Sequence, residues 1–408
     1  MTLKQEIKDL IKNESEKGWS DLHISEGKPL RYRNKSGHLV KLEKNKVTKE
    51  DIFDIVKNAF ILMGQHHDSL DAIMNSKSND FDFSVAIEMD DGEVVRFRTN
   101  MYYANERKVH LVMRRINDNV IPLEKLDLPK SAQKFLEHSS GLILVTGPTG
   151  SGKSTTLASM IDEINRLNPF NIITVEDPVE FRFEEKESII SQREVGGGKD
   201  IEDFKAALRS AVREDPNVIL VGEIRDAETA MMCLSAAQTG HLVFGTLHTN
   251  DSAGTINRYI QLFESGLQNA VRDILGEVLI GVISQVLVPM KKSGKAMACE
   301  VLVVDQSIRS YIKDATKQNQ IKNGLTIGQS ETGMVTLNQS LLQLVLDGKV
   351  EPHVAKGYSR DKDELSKMFL KNNIDESPLN KTSLNTLHNE THIHEHEKKT
   401  KKGFLNNF

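Results

Sequence analysis

The chain has 408 residues, of which 38% are hydrophobic and 27% charged, a composition typical of a globular protein with two or three domains. Its formal net charge of −5 argues against a nucleic-acid-binding surface that extends over the whole chain. The two cysteines, Cys233 and Cys299, are far apart, which excludes a four-cysteine zinc site and suits a reducing compartment. No apolar signal segment is visible, and the longest apolar stretch, 275–290, is interrupted by polar residues and too short to span a bilayer. The sequence therefore predicts at most a peripheral contact with a membrane.

The first part of the chain, residues 1–116, is predicted to be a small α/β domain. Apolar residues at helical spacing predict one helix that ends near Gly18 and a second one over 51–63. Short apolar or alternating segments separated by turn signals predict five strands, at 21–24, 30–33, 80–87, 93–98 and 109–116. Residues 117–130 contain two prolines and are predicted to form a linker of limited stiffness.

Residues 131–370 are predicted to form a second α/β domain. Apolar strands alternate with helical patterns, and this order predicts a mostly parallel sheet with helices on both faces. The predicted strands are 142–145, 171–175, 218–221 and 241–246.

The last segment, residues 371–408, is rich in Asn, Lys and His and lacks apolar periodicity, so it is predicted to be disordered. It contains four histidines whose spacing could capture a transition metal: His388, His392, His394 and His396. A solvated polar tail is the favoured interpretation, because compositional predictions of metal binding are weak.

The most specific motif is GPTGSGKST at residues 147–155, which matches the phosphate-loop pattern G-x-x-x-x-G-K-[ST] in full. An apolar strand precedes the motif and a helical pattern, 156–165, follows it, as this kind of loop requires. The glycines let backbone N–H groups turn toward phosphates, and the helix N-terminus favours the same anion. Lys153 is expected to reach the β- and γ-phosphates, and Ser154 to bind Mg²⁺. The motif therefore predicts binding of a nucleoside triphosphate through Gly147, Thr149, Gly150, Ser151, Gly152, Lys153, Ser154 and Thr155.

Carboxylates follow two of the apolar strands. Glu176, Asp177 and Glu180 come after the strand at 171–175, and Glu223 comes after the strand at 218–221. Because ligands bind at the carboxyl ends of parallel strands, we expect these groups to serve Mg²⁺ and the attacking water. Glu176 and Asp177 have an alternative interpretation as a capping pair in the turn before a proline.

Histidines and arginines are further candidates. His241 and His248 flank another strand and could sense the γ-phosphate, although a core histidine is an equally favoured interpretation for either one alone. Most arginines are expected to be surface ion-pair partners, whereas in an oligomeric ATPase one or two reach a neighbour's nucleotide. The candidates are Arg96, Arg98, Arg114, Arg115, Arg193, Arg209, Arg213, Arg225 and Arg258.

Several motifs together resemble the secretion and type IV pilus ATPases, and most of all their retraction ATPase group, PilT and PilU. The segment GWSDLHI at 18–24 is similar to the N-terminal signature of that family. The other motifs are the phosphate loop, EDPVE at 176–180, QREV at 192–195, and the segments 207–216, 220–229 and 239–249. The resemblance extends from residue 1 to about residue 370.

This resemblance implies a homo-hexameric ring whose subunits have a PAS-like N-terminal domain and a RecA-like motor domain. Such a ring hydrolyses ATP with Mg²⁺ and turns an inner-membrane platform protein, so that pilin subunits are drawn out of the fibre. It is cytoplasmic and sits peripherally on the inner membrane at the base of the pilus, without binding nucleic acid.

The resemblance also implies roles for single residues. Lys153 and Ser154 match the nucleotide- and Mg²⁺-binding residues of the phosphate loop. Glu180 takes the water-activating role, and Glu223 takes the second-strand role beside Mg²⁺ and water. His241 and His248 match the histidine box. Arg98 and Arg114 match arginines of the N-terminal domain that approach the nucleotide.

Two features decide between subgroups of this family. Assembly ATPases carry a tetracysteine zinc motif and an extra N-terminal domain, and neither is present here, which favours retraction over pilus or type II secretion assembly. The segment SIRSYI at 307–312 keeps Ile308, Arg309 and Ile312 of a retraction element, AIRNLI, but not its Ala, Asn and Leu. An accessory ring that assists a paralogous ATPase is therefore an alternative. A DNA translocase is a weaker one, since no arginine- and aromatic-rich stretch suggests a strand-binding groove.

Overall fold

The computed structural model describes residues 2–14, 19–34, 38–42, 46–62, 80–116, 120–196 and 200–376. Its strands form one sheet of six strands and one of seven. The predicted tail from residue 377 onward, with its four histidines, lies outside the described residues, as do 117–119 of the predicted linker.

The first sheet is antiparallel, with the order β3-β2-β1-β6-β5-β4. Its strands are β1 Trp19–Ser25, β2 Arg31–Asn34, β3 Leu39–Lys41, β4 Asp80–Glu88, β5 Val94–Ala104 and β6 Lys108–Arg115. Helices α1 Leu3–Glu14 and α2 Lys49–Leu62 pack on the sheet, and Ile7 and Ile52 share one buried core with Leu22, Phe97 and Leu111. The predicted α/β class and the five predicted strands are confirmed; the three-residue edge strand β3 was not predicted.

The second sheet has the order β13-β12-β7-β11-β10-β8-β9. All neighbours are parallel except β13, which runs antiparallel to β12. The strands are β7 Gly141–Thr146, β8 Asn171–Glu176, β9 Ile189–Glu194, β10 Val218–Val221, β11 Leu242–Leu247, β12 Leu279–Pro289 and β13 Lys295–Val303. The four strands predicted from the sequence are the central β7, β8, β10 and β11, each within one residue of its predicted limits.

Helices cover both faces of this sheet. In β10, Ile219 and Val221 belong to one buried cluster and Val218 and Leu220 to another, as expected when successive side chains point to opposite faces. The helices are α3 Lys130–Gln133, α4 Lys153–Leu167, α5 Phe204–Ala211, α6 Ala227–Gln238, α7 Ser252–Gln261, α8 Gln268–Val278, α9 Gln306–Lys313, α10 Gln320–Ile327, α11 Gln329–Thr332, α12 Leu337–Leu346, α13 Pro352–Tyr358 and α14 Lys362–Lys371.

Aspartates cap the N-termini of five of these helices. Asp203, Asp226, Asp251, Asp305 and Asp361 each accept a hydrogen bond from the backbone N–H three residues later. Such a cap satisfies a donor that the first turn of a helix leaves without a partner. These caps fix where α5, α6, α7, α9 and α14 start.

The apolar stretch 275–290 is divided between the end of α8 and the whole of β12. It is apolar because β12 lies between β7 and β13 and is buried along most of its length. Within the described ranges, no helix combines the length and the apolar character needed to cross a membrane.

The described part of the predicted linker packs on the second sheet. Leu123 and Leu128 are buried in the same cluster as Phe135 and Ile143. The domain boundary at 117–130 stays a prediction, but residues 120–130 belong with the second sheet by their contacts.

Candidate functional site

The carboxyl ends of the central parallel strands meet at one edge of the second sheet. A cleft of about 610 Å³ opens there. The phosphate loop follows β7, the acidic residues follow β8 and β10, and His248 follows β11. The cleft brings together these predicted site residues: Arg98, Arg114, Thr149, Gly150, Gly152, Lys153, Ser154, Thr155, Glu180, Glu223 and His248.

The phosphate loop depends on glycine at two positions. Gly147 has a φ of 147°, and a Cβ there would lie 2.3 Å from the carbonyl oxygen of Gln285. Gly152, with a φ of 87°, is the residue that caps the N-terminus of α4. Both angles belong to the region that L side chains rarely adopt, so these glycines are required by the backbone geometry. These glycines therefore let the loop turn into α4, and the first residues of that helix line the cleft.

Gln285 of β12 is hydrogen-bonded to the backbone of the phosphate loop. Its Nε2 donates a buried hydrogen bond of 2.8 Å to the carbonyl oxygen of Ser151. In the sequence, Gln285 is recognisable only as a polar interruption of an apolar stretch. A polar residue in the middle of a buried strand was the available signal, because a buried amide needs a hydrogen-bond partner.

Lys153 lies between the loop and the acidic residues. Its Nζ donates to the carbonyl oxygens of Gly147 at 2.8 Å and Pro148 at 3.3 Å. Burial lowers the pKa of Lys153, and the carboxylates of Glu223 and Glu180 act in the opposite direction. The ammonium group is therefore within electrostatic reach of both acids that the sequence singled out.

Glu223 is held by two basic side chains. Arg225 Nη2 donates to Glu223 Oε2 at 2.7 Å, and His248 Nε2 lies 3.3 Å from Glu223 Oε1. Burial by itself raises the pKa of Glu223, but Arg225 and His248 outweigh it and keep the pKa below its ordinary value. Glu223 is thus ionised at neutral pH. The role of Arg225 beside it was not predicted.

Glu176 has a raised pKa, in contrast to Glu223. Burial raises the pKa of Glu176 to about 7, although Thr174 Oγ1 donates to its Oε1 at 2.7 Å and favours the charged form. The nearby Glu180 carboxylate adds to the increase. Glu176, Asp177 and Glu180 all line the cleft, and no helix begins at Glu176 or Asp177.

Arginines from the first sheet complete the cleft. Arg98 of β5 and Arg114 of β6 are register partners on adjacent strands. Arg114 Nε donates to Asp21 Oδ1 at 2.9 Å, so a carboxylate of β1 holds that arginine. The side chains predicted to approach the nucleotide from the N-terminal domain therefore line the cleft of their own chain.

His241 lies away from the cleft. It precedes the amino end of β11, whereas His248 follows the carboxyl end. Six residues of strand separate them, which corresponds to roughly 20 Å. His241 Nδ1 lies 2.9 Å from the carbonyl oxygen of Ala236 instead. The structure thus does not bring the two predicted histidines together within the chain, and a catalytic role for His241 stays a prediction without support from this geometry.

Ser154 and Glu223 offer a hydroxyl and a carboxylate to the cleft, which are the oxygen ligands that Mg²⁺ prefers. In the part of the chain that the structure describes, no group of three or more His, Cys, Asp or Glu residues could hold a metal ion. A site of only two protein oxygens is consistent with Mg²⁺. This ion usually takes one or two ligands from the protein and the others from substrate phosphates and water.

Comparison with known proteins places these features in context. Residues 2–362 match the family described as Type II/IV secretion system protein. The chain is 44% identical over 274 residues to a twitching motility protein of Neisseria gonorrhoeae, covering 67% of this chain and 72% of the relative. It is 37% identical over 351 residues to the type IV pilus retraction ATPase PilT of Pseudomonas aeruginosa, covering 86% and 97%. A crystal structure of the pilus retraction motor PilT with bound ADP superposes with a TM-score of 0.76 at 38% identity, covering 90% of this chain and 100% of the other.

Proposed function

The chain belongs to the Type II/IV secretion system protein family, and we propose that it is the ATP-driven motor of type IV pilus retraction. It is a P-loop ATPase with an α/β fold, similar over almost its full length to PilT. The observation that carries the proposal is the cleft itself, which combines the phosphate loop with Glu180, Glu223 and two arginines of the first sheet.

In the proposed mechanism the loop and Lys153 bind the phosphates of ATP. The N-terminus of α4 and the backbone N–H groups favour the anion, and the lysine adds a positive charge. Ser154 and Glu223 would hold Mg²⁺, which neutralises phosphate charge when it is bound. Glu180 orients or deprotonates the attacking water. It lies on the neighbouring loop, and its carboxylate is close enough to Lys153 to act on the pKa of that lysine.

Arg98 and Arg114 are proposed to stabilise the negative charge that develops on the transferred phosphoryl group. Fixed positive groups directed at that charge are the largest source of catalysis in phosphoryl transfer. Since Arg114 is anchored to Asp21, its position depends on the first sheet. The rate of ATP hydrolysis is therefore expected to depend on the position of the first sheet.

The assembly and its partners are also part of the proposal. We infer a homo-hexamer that contacts an inner-membrane platform protein from the cytoplasmic side. The support is family membership and the similarity to PilT.

Hydrolysis by the purified full chain tests the enzymatic part. With Mg²⁺ and ATP we expect turnover, and Glu223→Gln should reduce kcat by roughly 100-fold or more while a fluorescent ADP analogue still binds. Glu137→Gln is the matched control, because Glu137 is an exposed carboxylate outside the cleft. Full turnover by Glu223→Gln would refute the assignment of the site.

A second candidate function, the accessory ring, is favoured by one observation. In α9, Ile308 and Ile312 are buried, whereas Ser307 and Ser310, which replace residues of the retraction element, are exposed. Ser307 and Ser310 are thus available to a partner, whereas the third substituted position, Tyr311, packs against the core. Deleting the gene in a piliated cell separates the two functions: hyperpiliation with lost retraction supports the motor, and normal retraction under low load supports the accessory ring.

A further inference from the structure

The acidic loop, which we define as residues 177–183, carries Glu180 into the cleft without any helix or strand of its own. The second sheet holds part of it. Glu194 Oε2 accepts from Val179 N at 3.2 Å, and the Gln192 side chain bonds the backbone of Phe181 and Phe183 at 2.7 and 3.1 Å. These contacts hold the backbone at Val179, Phe181 and Phe183. The carbonyl oxygens of Val179 and Glu180 accept hydrogen bonds from donors in another part of the chain.

Arg96 of the first sheet supplies those donors. Its Nη1 donates to the carbonyl oxygen of Val179 and its Nη2 to that of Glu180, both at 3.1 Å. These carbonyls belong to the two peptide units on either side of the Glu180 Cα. Holding both peptide planes restricts the rotation of the backbone at Glu180, and hence the direction in which its carboxylate points.

The position of Arg96 in β5 explains how it reaches the loop. Arg96 is only 4% exposed, and the neighbouring Phe97 points into the core of the first sheet. Because side chains alternate along a strand, Arg96 and Arg98 share the face opposite Phe97. One strand therefore places a residue that holds the acidic loop next to a residue that lines the cleft.

We propose that Arg96 is a positioning residue for hydrolysis, which sets the orientation of Glu180 through the backbone of the acidic loop. This inference rests on the proposed function, since it assigns Glu180 to the attacking water. It makes the first sheet part of the hydrolytic machinery: a displacement of β5 moves Arg98 and the backbone of Glu180 together.

Arg96→Lys in the full chain tests this proposal. Lysine keeps the positive charge and an apolar stem but lacks the planar pair of donors that bonds two carbonyls at once. Misplacement of a reacting group by about 1 Å can cost roughly 100-fold, so we expect kcat to fall 10- to 100-fold. The KM for ATP and the affinity for a fluorescent ADP analogue should stay within about twofold, because the phosphate loop is unaltered.

Arg31→Lys is the control, since Arg31 is an exposed arginine of β2 in the same sheet. Hydrogen exchange supplies a readout independent of turnover: amides of 177–183 should exchange faster in Arg96→Lys, and amides of β5 and β6 should not. An unchanged kcat in an active enzyme overturns the proposal. A joint fall of kcat, ADP affinity and thermal midpoint also overturns it, because it would indicate a purely structural role.

The same experiment separates this proposal from the function on which it rests. If the wild-type chain does not hydrolyse ATP, the proposed function fails, and hydrogen exchange alone decides whether Arg96 positions the loop. If the wild type hydrolyses ATP and the Arg96→Lys protein does so equally well, the function stands and the role of Arg96 is refuted.

Discussion

Arg225 Nη2 donates to Glu223 Oε2 over 2.7 Å, so the acid at the end of β10 is paired with an arginine two residues further along the chain. Arg225 is the largest of the influences that lower the pKa of Glu223, and His248 follows it. Together they exceed the effect of burial, which acts in the opposite direction. The pKa of Glu223 thus depends on Arg225, which the sequence marked only as one of nine candidate arginines.

Removing Arg225 should change the pH dependence of hydrolysis. In Arg225→Gln the pKa of Glu223 rises, so a higher pH is needed to ionise the carboxylate. We expect the acidic limb of the kcat profile to move to higher pH, which is measured as the rate of phosphate release between about pH 5 and 9. Arg166→Gln, at an exposed arginine in the last turn of α4, should leave the limb in place. An acidic limb that does not move in Arg225→Gln would show that Glu223 does not control the rate.

Glu176 should reduce stability at high pH. Its folded-state pKa of about 7 lies above the ordinary value of 4.5, so folding favours the protonated form, and stability is lost as pH rises through this interval. Glu176→Gln removes the ionisation and should raise the free energy of unfolding at pH 8 by on the order of 1–3 kcal/mol, with much less effect near pH 4.5. Urea unfolding at both pH values measures this, with the exposed Glu137→Gln as control. Equal gains at the two pH values would contradict the prediction.

The centre of the second sheet was predictable because burial on both faces leaves a strong mark on the sequence. Strands β7 and β10 consist almost entirely of buried residues and appear as short apolar runs. The edge strand β9 has no such run: Ile189 is 63% exposed and the strand includes Gln192, Arg193 and Glu194. Strand β12 was missed for a different reason, since its apolar residues continue directly from those of α8 and no turn signal separates them.

In the site, the sequence predicted those residues that belong to a local motif or directly follow a recognisable strand. Lys153 and Ser154 follow from the phosphate loop, and Glu223 from the end of an apolar strand. Gln285 and Arg96 depend on contacts with residues 134 and 83 positions away, which arise only once β12 lies beside β7 and β5 faces the acidic loop. No local pattern contains that information. His241 lies outside the cleft because it precedes β11, and only the carboxyl end of that strand faces the cleft.

Gly147→Ala should disrupt the phosphate loop. The φ of 147° strains any L side chain, and the new Cβ would lie 2.3 Å from the carbonyl oxygen of Gln285 and 2.6 Å from Ser151 Oγ. Strain of about 1–3 kcal/mol corresponds to a loss of roughly 10- to 100-fold in affinity for ADP, measured by titration of a fluorescent analogue. Gly266→Ala is the matched control, since a Cβ there meets nothing within 4 Å. Unchanged ADP affinity in Gly147→Ala would mean that this loop does not bind the nucleotide.

Asp21→Asn should affect both turnover and stability, because Asp21 anchors Arg114. Burial raises the pKa of Asp21, but hydrogen bonds from Ser20 and Arg114 and the charge of Arg114 outweigh it, and the pKa lies below its ordinary value. A lowered pKa contributes stability above the unfolded-state pKa, and this contribution is lost as pH falls.

We therefore expect Asp21→Asn to be less stable at pH 7 by about 1 kcal/mol, a small loss because Arg114 is 64% exposed, and to approach the wild type near pH 3. The kcat for ATP hydrolysis should fall roughly tenfold, since the released guanidinium no longer points steadily at the phosphates. Urea unfolding at the two pH values and steady-state phosphate release measure the two effects, with Asp363→Asn, at an exposed position of α14, as control. A stability loss without any loss of kcat would show that Asp21 supports the first sheet alone, and that Arg114 finds its place in the cleft without it.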